Sequence, residues 1–201
     1  MILFLDVVSP IPEFYLINDK KIIVSIKIIQ NNEEKLSDVI IPKYLEINNT
    51  YKLNKNITHL IITTGPGSYT SLRVGASFIA GLGQSLNLPV SVISNENIYE
   101  FLNSENKKTC VYFESAKNQK FITYKKEKKF FHQKIEDKNF ILPKQITNLF
   151  YNFKYPKLIN KEMNFIPFSI IDTIVKNLNY LEFKKNFLIK PLYISNNIIL
   201  N

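Results

Sequence analysis

One cysteine, two histidines and five glycines are all that this chain of 201 residues contains of those types. A lone thiol, Cys110, cannot close an internal disulfide, and in the strand-like run KTCVYFE it reads as an inert buried side chain. Nothing therefore points to an oxidising compartment. His59 and His132 lie far apart in strand-like settings, and each reads as structural. No Ser-His-Asp arrangement is recognisable. Long apolar runs are missing too. Met1–Leu5 is interrupted by Asp6, without a basic leader or a small-residue cleavage site, so it reads as a first strand and not as a signal peptide. Residues 74–95 carry no charge, but Ser, Gln, Asn, Pro and three glycines make them too polar to span a bilayer. A cytoplasmic chain without a membrane segment is the expectation.

What is present is ordinary for a folded domain: 45% hydrophobic and 21% charged residues, enough for one domain or two small ones sharing a core. The net charge of +9 favours an anionic partner such as RNA, although the lysines are spread over many segments. Three short strands open the chain, MILFLDVV, EFYLIN and KKIIVSIKII, with Asn18-Asp19 turning between the second and third. A helical segment follows, starting at Asn31 or Asn32 with Glu33 and Glu34 in its first turn, and Pro42 is expected to kink or split it. ITHLIITT reads as a buried central strand, Tyr69–Leu86 as a helix, LPVSVIS as a strand and Asn95–Leu102 as a short helix. From about Asn106 strands begin again with KTCVYFESA, KFITYKK and KKFFHQKIE. A mixed segment, a strand at YPKLIN and a helix at SIIDTIVKNLNYL complete the pattern. Three meandering strands followed by helix, strand, helix, strand, helix is the layout of half of an actin-like, Hsp70-like or sugar-kinase-like (ASKHA) ATPase. The expected fold is accordingly α/β and two-lobed, with mixed five-stranded sheets flanked by helices. The lobes are expected at residues 1–105 and 106–201, the second reduced and its C-terminal tail packing back on the first.

All five glycines fall in one stretch, at Gly65, Gly67, Gly75, Gly81 and Gly83. A P-loop would need a glycine and then Lys after it, but Thr70 stands at the glycine position, and a dinucleotide fingerprint fails at the same residue. Gly65, Gly67 and Ser68 could still present backbone N–H groups to an anion at a helix start; the alternative is a tight turn capped by Ser68. The three helical glycines forgo about 3 kcal/mol of helix propensity. Leu72, Ile79, Leu82 and Leu86 form a broad apolar face, and Ala76, Ala80 and Gly83 form a small-residue strip beside it. Such a helix is covered on more than one side. A partner's helix is the expected cover, with Gly75 in the same contact. Gly83→Leu would then spare the free chain and overpack the complex.

The stretch GPGSYTSLRVGASFIAGLGQSLNLPVSVIS resembles the TsaB (YeaZ) family, a subunit of bacterial tRNA threonylcarbamoyladenosine synthesis. That family's signature runs Gly-Pro-Gly-Ser-Phe-Thr-Gly-Leu-Arg-x-Gly. Gly65, Pro66, Gly67, Ser68, Thr70, Leu72, Arg73 and Gly75 match it, whereas Tyr69 replaces Phe and Ser71 replaces Gly. Asp6 matches an N-terminal Asp-Thr-Ser whose last two residues are here Val7 and Val8, and KPLYI resembles the family's Pro-x-Tyr ending. The likeness is closest over residues 60–95 and thin between 110 and 185, where Ser115 takes the place of an Asp.

The resemblance implies a non-catalytic scaffold that pairs through helices of its first lobe with the related catalytic subunit TsaD. That subunit modifies the adenosine beside the tRNA anticodon, and the ATPase TsaE joins the complex. It implies no cofactor held by this chain alone, ATP and metal being used by the partner subunits, with tRNA met through the complex. Relatives of the TsaD type hold metal with a close His pair, which His59 and His132 do not form. Nucleotide-binding relatives carry Asp-x-Gly-[Thr/Ser] in the first hairpin, where Val7, Val8 and Pro10 would crowd a phosphate. Asp6 could still hold a metal-bound water, or serve as a plain hairpin carboxylate. A homodimer of the free chain, an autonomous ATPase or kinase using Asp6 and the Gly65–Ser68 turn, and a basic RNA-binding module centred on Lys125–Lys134 stand as alternatives.

Overall fold

Buried residues alternate with half-buried ones over residues 13–16, whereas residues 3–6 are buried in succession, as in a central strand covered on both faces. In the computed structural model, which describes residues 1–31, 33–102, 108–136, 142–156, 163–195 and 198–200, β1 (Ile2–Asp6) pairs antiparallel with β2 (Glu13–Asn18), and β2 with β3 (Lys21–Lys27). Helix α1 (Leu36–Tyr51) and the single turn α2 (Leu53–Asn56) lead to β4 (His59–Thr63), which lies parallel to β1. Helix α3 (Tyr69–Leu86) then crosses to β5 (Val90–Ile93), parallel to β4, and α4 (Asn95–Leu102) follows. The resulting sheet order is β3-β2-β1-β4-β5.

The second half repeats this topology without repeating the sequence. Strands β6 (Thr109–Ser115), β7 (Gln119–Lys126) and β8 (Lys129–Ile135) meander antiparallel. Strands β9 (Asn148–Tyr151) and β10 (Asn164–Pro167) add parallel on the other side of β6, giving the order β10-β9-β6-β7-β8. Helix α5 (Ile170–Lys176) follows β10 as α4 follows β5. Reduction is concentrated in the crossovers: residues 28–58 and 64–89 connect the parallel strands of the first sheet, whereas 136–147 and 152–163 serve the second. Among the described residues these shorter connections contain no helix.

Several local expectations shift. Asn31 does not start a helix; its Oδ1 accepts hydrogen bonds from the Glu33 and Glu34 N–H groups in a turn, and α1 begins at Leu36. Asn32 lies outside the described residues. Pro42 sits inside an unbroken α1, because buried Leu36, Ile40, Tyr44 and Ile47 anchor both sides of it. For YPKLIN, Tyr155 and Pro156 are not in a strand and the rest lies outside the described residues. Strand β9 comes from the segment that reads only as mixed, and β10 from the residues between YPKLIN and the last helix, for which the sequence suggests no element. The last helix stops at Lys176 and continues as a 3-10 turn over Leu178–Tyr180.

One core joins α1 and α3 to the first sheet, through a cluster in which Phe78 of α3 meets Phe14 of β2 and Tyr44 of α1. The chain's last segment runs back over the first lobe: Val90 and Lys184 exchange backbone hydrogen bonds of 2.9 and 3.0 Å, and Phe187 lies against α3. Strand β11 (Tyr193–Ser195) lies beside β8 and pairs with β12 (Ile198–Leu200).

This tail corrects the account of the glycines. A Cβ at Gly83 would stand 2.9 Å from Phe187 Cε1 and 3.0 Å from Val90 Cγ2, and one at Gly75 would stand 2.7 Å from Val7 Cγ1. Leu72, Ala76 and Ile79 are also buried within the chain itself. The small positions at Gly75 and Gly83 are therefore set by close approach of α3 to its own sheet and tail, not by a partner helix. Ala80, Leu82 and Leu86 are half-buried, and Gly81 alone of the helical glycines has open space around it.

These environments give opposite signs to one chemical change. Gly81→Ala should stabilise the chain by about 1 kcal/mol through helix propensity. Gly75→Ala should destabilise it by on the order of 1 kcal/mol, because overpacking against Val7 exceeds the same propensity gain. Urea denaturation midpoints of the two variants measure the difference.

Candidate functional site

Parallel strands of both sheets end at the junction between the lobes, where ligands of open α/β sheets bind. Asp6, at the end of β1, is fully enclosed by its own hairpin. Its Oδ1 accepts from the Val8 N–H at 2.9 Å, the Ser9 N–H at 3.3 Å and the Thr63 hydroxyl at 2.9 Å, and its Oδ2 accepts from the Ser9 hydroxyl at 2.5 Å. The Thr63 hydroxyl in turn accepts from the Val7 N–H at 2.9 Å. Burial raises the Asp6 pKa above the ordinary carboxylate range, and the four hydrogen bonds oppose that rise only in part. The carboxylate closes a turn; its acceptor capacity faces the chain.

The turn after β4 is filled in the same way. Gly65 has φ +107°, and a Cβ there would lie 2.8 Å from the Leu192 carbonyl oxygen. The Gly65–Pro66 peptide is cis. At Gly67 a Cβ would meet Ser115 Oγ at 3.2 Å and Val8 Cα at 3.5 Å. Ser115 Oγ accepts the Ser68 N–H at 3.1 Å, so a side chain of the second lobe stands where an anion would sit. The Ser68 side chain makes no capping hydrogen bond, which corrects the expected Ser68 cap. Val7 and Val8 are completely buried. These residues do not fit a triphosphate: the glycines admit neighbouring protein atoms.

Thr70 and Arg73 are exposed on the first turns of α3. Arg73 lies 5.8 and 5.5 Å from the ring centres of Tyr69 and Tyr193, and its Nε donates to the Tyr193 hydroxyl at 3.3 Å. The two tyrosines stack at 4.6 Å, so this signature arginine pins the C-terminal tail to α3. Farther along, Ser77, Gly81 and Gln84 continue the exposed side of the helix.

Sequence spacing gave no sign of a polar series between the lobes. Thr123 Oγ1 and His132 Nδ1 are 2.9 Å apart, as are His132 Nε2 and Glu96 Oε1. The series has the order of a nucleophile, base and orienting carboxylate. Thr123, however, is sealed inside the sheet with no exposed surface. Burial lowers the His132 pKa despite the neighbouring Glu96, in keeping with a neutral ring bonded on both sides. One turn further along α4, Glu100 receives Lys125 Nζ at 2.5 Å, and that lysine lies 4.9 Å above the Phe130 ring. Within the basic run Lys125–Lys134, Lys125 and His132 dock α4, while Lys126, Lys128 and Lys129 are exposed. Among the described residues no group of three or more His, Cys, Asp or Glu side chains could hold a metal ion, and no helix is long and apolar enough to cross a membrane.

Two sheets of one topology meeting at their strand ends define a two-lobed protein of the actin, Hsp70 and sugar-kinase class. A family model described as TsaD, tRNA N6-adenosine threonylcarbamoyltransferase, matches residues 29–182, and the chain belongs to that family. Its fold is that of YeaZ from Pseudomonas aeruginosa, with a TM-score of 0.60 at 12% identity over 96% of this chain and 99% of that one. A second Pseudomonas aeruginosa structure, an uncharacterized protein with similarity to peptidase YeaZ, superposes with a TM-score of 0.64 at 11% identity and the same coverage. No curated protein matches the chain in sequence.

The enclosed carboxylate gives a pH test with a definite sign. A raised folded-state pKa means that the Asp6 contribution to stability is fully present below its unfolded value and is lost as pH rises through the folded value. Asp6→Asn keeps an acceptor oxygen and removes the charge, so it should gain stability relative to the parent as pH rises from about 4 to about 7. Asp6→Ala leaves the Val8 N–H and the Thr63 hydroxyl without this acceptor and should cost on the order of 1–3 kcal/mol at both pH values. Denaturant titrations at each pH separate the three proteins.

Proposed function

We propose that this chain is a non-catalytic partner subunit in the threonylcarbamoyl modification of tRNA adenosine. The observation that carries the reading is the filled lobe junction of a member of the TsaD family: Val7, Val8 and Ser115 occupy the space between the two turns. Such a chain binds no nucleotide or metal by itself, and the chemistry belongs to a TsaD-like catalytic subunit with a TsaE-like ATPase. Transfer RNA is engaged through the complex, in the cytoplasm.

Pairing with the catalytic subunit uses the exposed sides of the first-lobe helices. On α3 these are Thr70, Ser77, Gly81 and Gln84, flanked by half-buried Ala80, Leu82 and Leu86; on α1, Ile41 and Leu45 stand 56% and 50% exposed one turn apart. Small outward residues allow helix axes to approach toward the lower end of the usual 8–10 Å, and the two aliphatic side chains supply apolar area. Self-association of the free chain through the same helices is the alternative pairing.

Gly81→Leu should leave the melting temperature of the free chain unchanged or raised and weaken binding to a TsaD-like subunit roughly ten- to hundredfold. Gly83→Leu should instead destabilise the free chain, since Phe187 and Val90 occupy that space. Calorimetric titration with the catalytic subunit, beside thermal melts of each variant, tests the assignment. Unchanged affinity for Gly81→Leu would remove α3 from the interface. ATP turnover by the purified chain, abolished by Asp6→Asn, would overturn the non-catalytic reading.

A further inference from the structure

The first lobe covers the outward face of its sheet with two helices. Phe14 of β2 meets Tyr44 and Phe78 there. The corresponding face of the second sheet carries Cys110, Tyr112, Ile122 and Leu149, and among the described residues Leu142 and Ile146 are the buried side chains packed on it from outside the sheet. Short crossovers thus leave aromatic residues at the rim of this face.

The turn that leaves β9 gathers them. Tyr155 packs on Phe165 at 4.6 Å and on Tyr151 at 5.9 Å between ring centres, yet remains 53% exposed. Phe153 is 49% exposed, and Lys154 Nζ lies 5.2 Å from its ring centre. The lysine side chain is 66% exposed and lies 4.0 Å from Glu114 Oε1. Asn152 fixes the base of the turn: its Oδ1 accepts the Glu114 N–H at 2.9 Å and its Nδ2 donates to the Glu114 carbonyl at 3.3 Å.

We infer that the Phe153–Lys154–Tyr155 turn is a contact site for single-stranded RNA, with bases stacking on the two rings and Lys154 beside the phosphates. Exposed aromatic rings interleaved with a cation are the elements of sequence-tolerant single-strand binding. A lysine at the centre argues against a protein-binding core, where lysine is depleted. The net charge of +9 supplies the complementary field for a polyanion. The β7–β8 hairpin is a weaker candidate: Lys125 is held by Glu100 and Lys134 by Glu136, and its exposed Lys126, Lys128 and Lys129 have no aromatic ring interleaved among them. This inference rests on the proposed role in tRNA modification and names where the chain itself would touch an unpaired RNA segment.

The test uses the full chain and a fluorescein-labelled 12-nucleotide RNA of mixed sequence, single-stranded or annealed to its complement. Anisotropy should show preference for the single strand. Phe153→Ala and Tyr155→Ala should each weaken that binding at least fivefold, as expected for loss of one base stack. Lys154→Ala should reduce the slope of log affinity against log salt by about 0.7. The control Lys126→Ala with Lys129→Ala should change single-strand binding less than either aromatic variant. Because the chain has no tryptophan, Phe153→Trp installs a sole indole whose emission should be quenched by the RNA, and Phe131→Trp should give no such quenching. This pair serves even where an alanine variant fails to fold. Absence of RNA binding up to about 100 μM, of order the weak limit of non-specific binding, overturns the inference. So does saturation of anisotropy without quenching, or an equal effect of the control lysines. Pairing of each variant with the catalytic subunit is measured in parallel: lost pairing with intact RNA binding makes the turn a protein contact and overturns it. Retained pairing with absent RNA binding leaves the partner-subunit reading standing alone.

Discussion

At Gly65 three separate parts of the chain close on one another. The Gly65 carbonyl accepts the N–H of Asn95 at the start of α4, and the preceding Thr64 carbonyl accepts the N–H of Leu192 from the C-terminal tail. The Leu192 carbonyl oxygen then lies 2.8 Å from where a Cβ would project, so no other residue fits without displacement of the tail. Two residues on, Gly67 and Ser68 take Ser115 from the second lobe. The turn therefore fixes α3, α4, the tail and the second sheet in one arrangement. Its glycine requirement is a requirement for backbone approach.

That closure explains how a reduced second lobe remains attached. Its sheet has α4 and α5 on the inner side and little beyond Leu142 and Ile146 outside, among the described residues. Much of its anchoring is borrowed from the first lobe. Glu96 and Glu100, one turn apart on α4, reach His132 and Lys125 on adjacent strands of the second sheet. The tail returns the connection by pairing Lys184 with the β5 edge and stacking Tyr193 on Tyr69. Covering the β5 edge also blunts a strand that would otherwise offer free backbone groups.

The same packing bears on function. The turns at the lobe junction are bonded to each other: Asp6 accepts from its own hairpin and from Thr63 of β4, and Ser115 takes the Ser68 N–H at the start of α3. The exposed surfaces on which the proposed contacts rest, the outward sides of α1 and α3 and the aromatic turn after β9, lie outside that junction.

The sequence by itself determined the element order of the first lobe, the two-lobed class and the position of the glycine turn. Apolar runs of strand length, the crowding of Val7 and Val8, and the glycine-bearing signature each act locally. Tertiary structure alone decided why Gly75 and Gly83 are glycine. Helical periodicity places them on a face but cannot show that Val7 and Phe187 arrive there from distant parts of the chain. It also decided the fate of Ser115, His132 and Lys125, whose partners Ser68, Glu96 and Glu100 are brought close only when the lobes meet. Strands β9 and β10 escaped notice because their burial is supplied by neighbouring strands more than by their own alternation. Local chemistry is written along the chain, whereas the identity of a side chain's neighbour across the fold depends on how the crossovers and the tail bring the two sheets together.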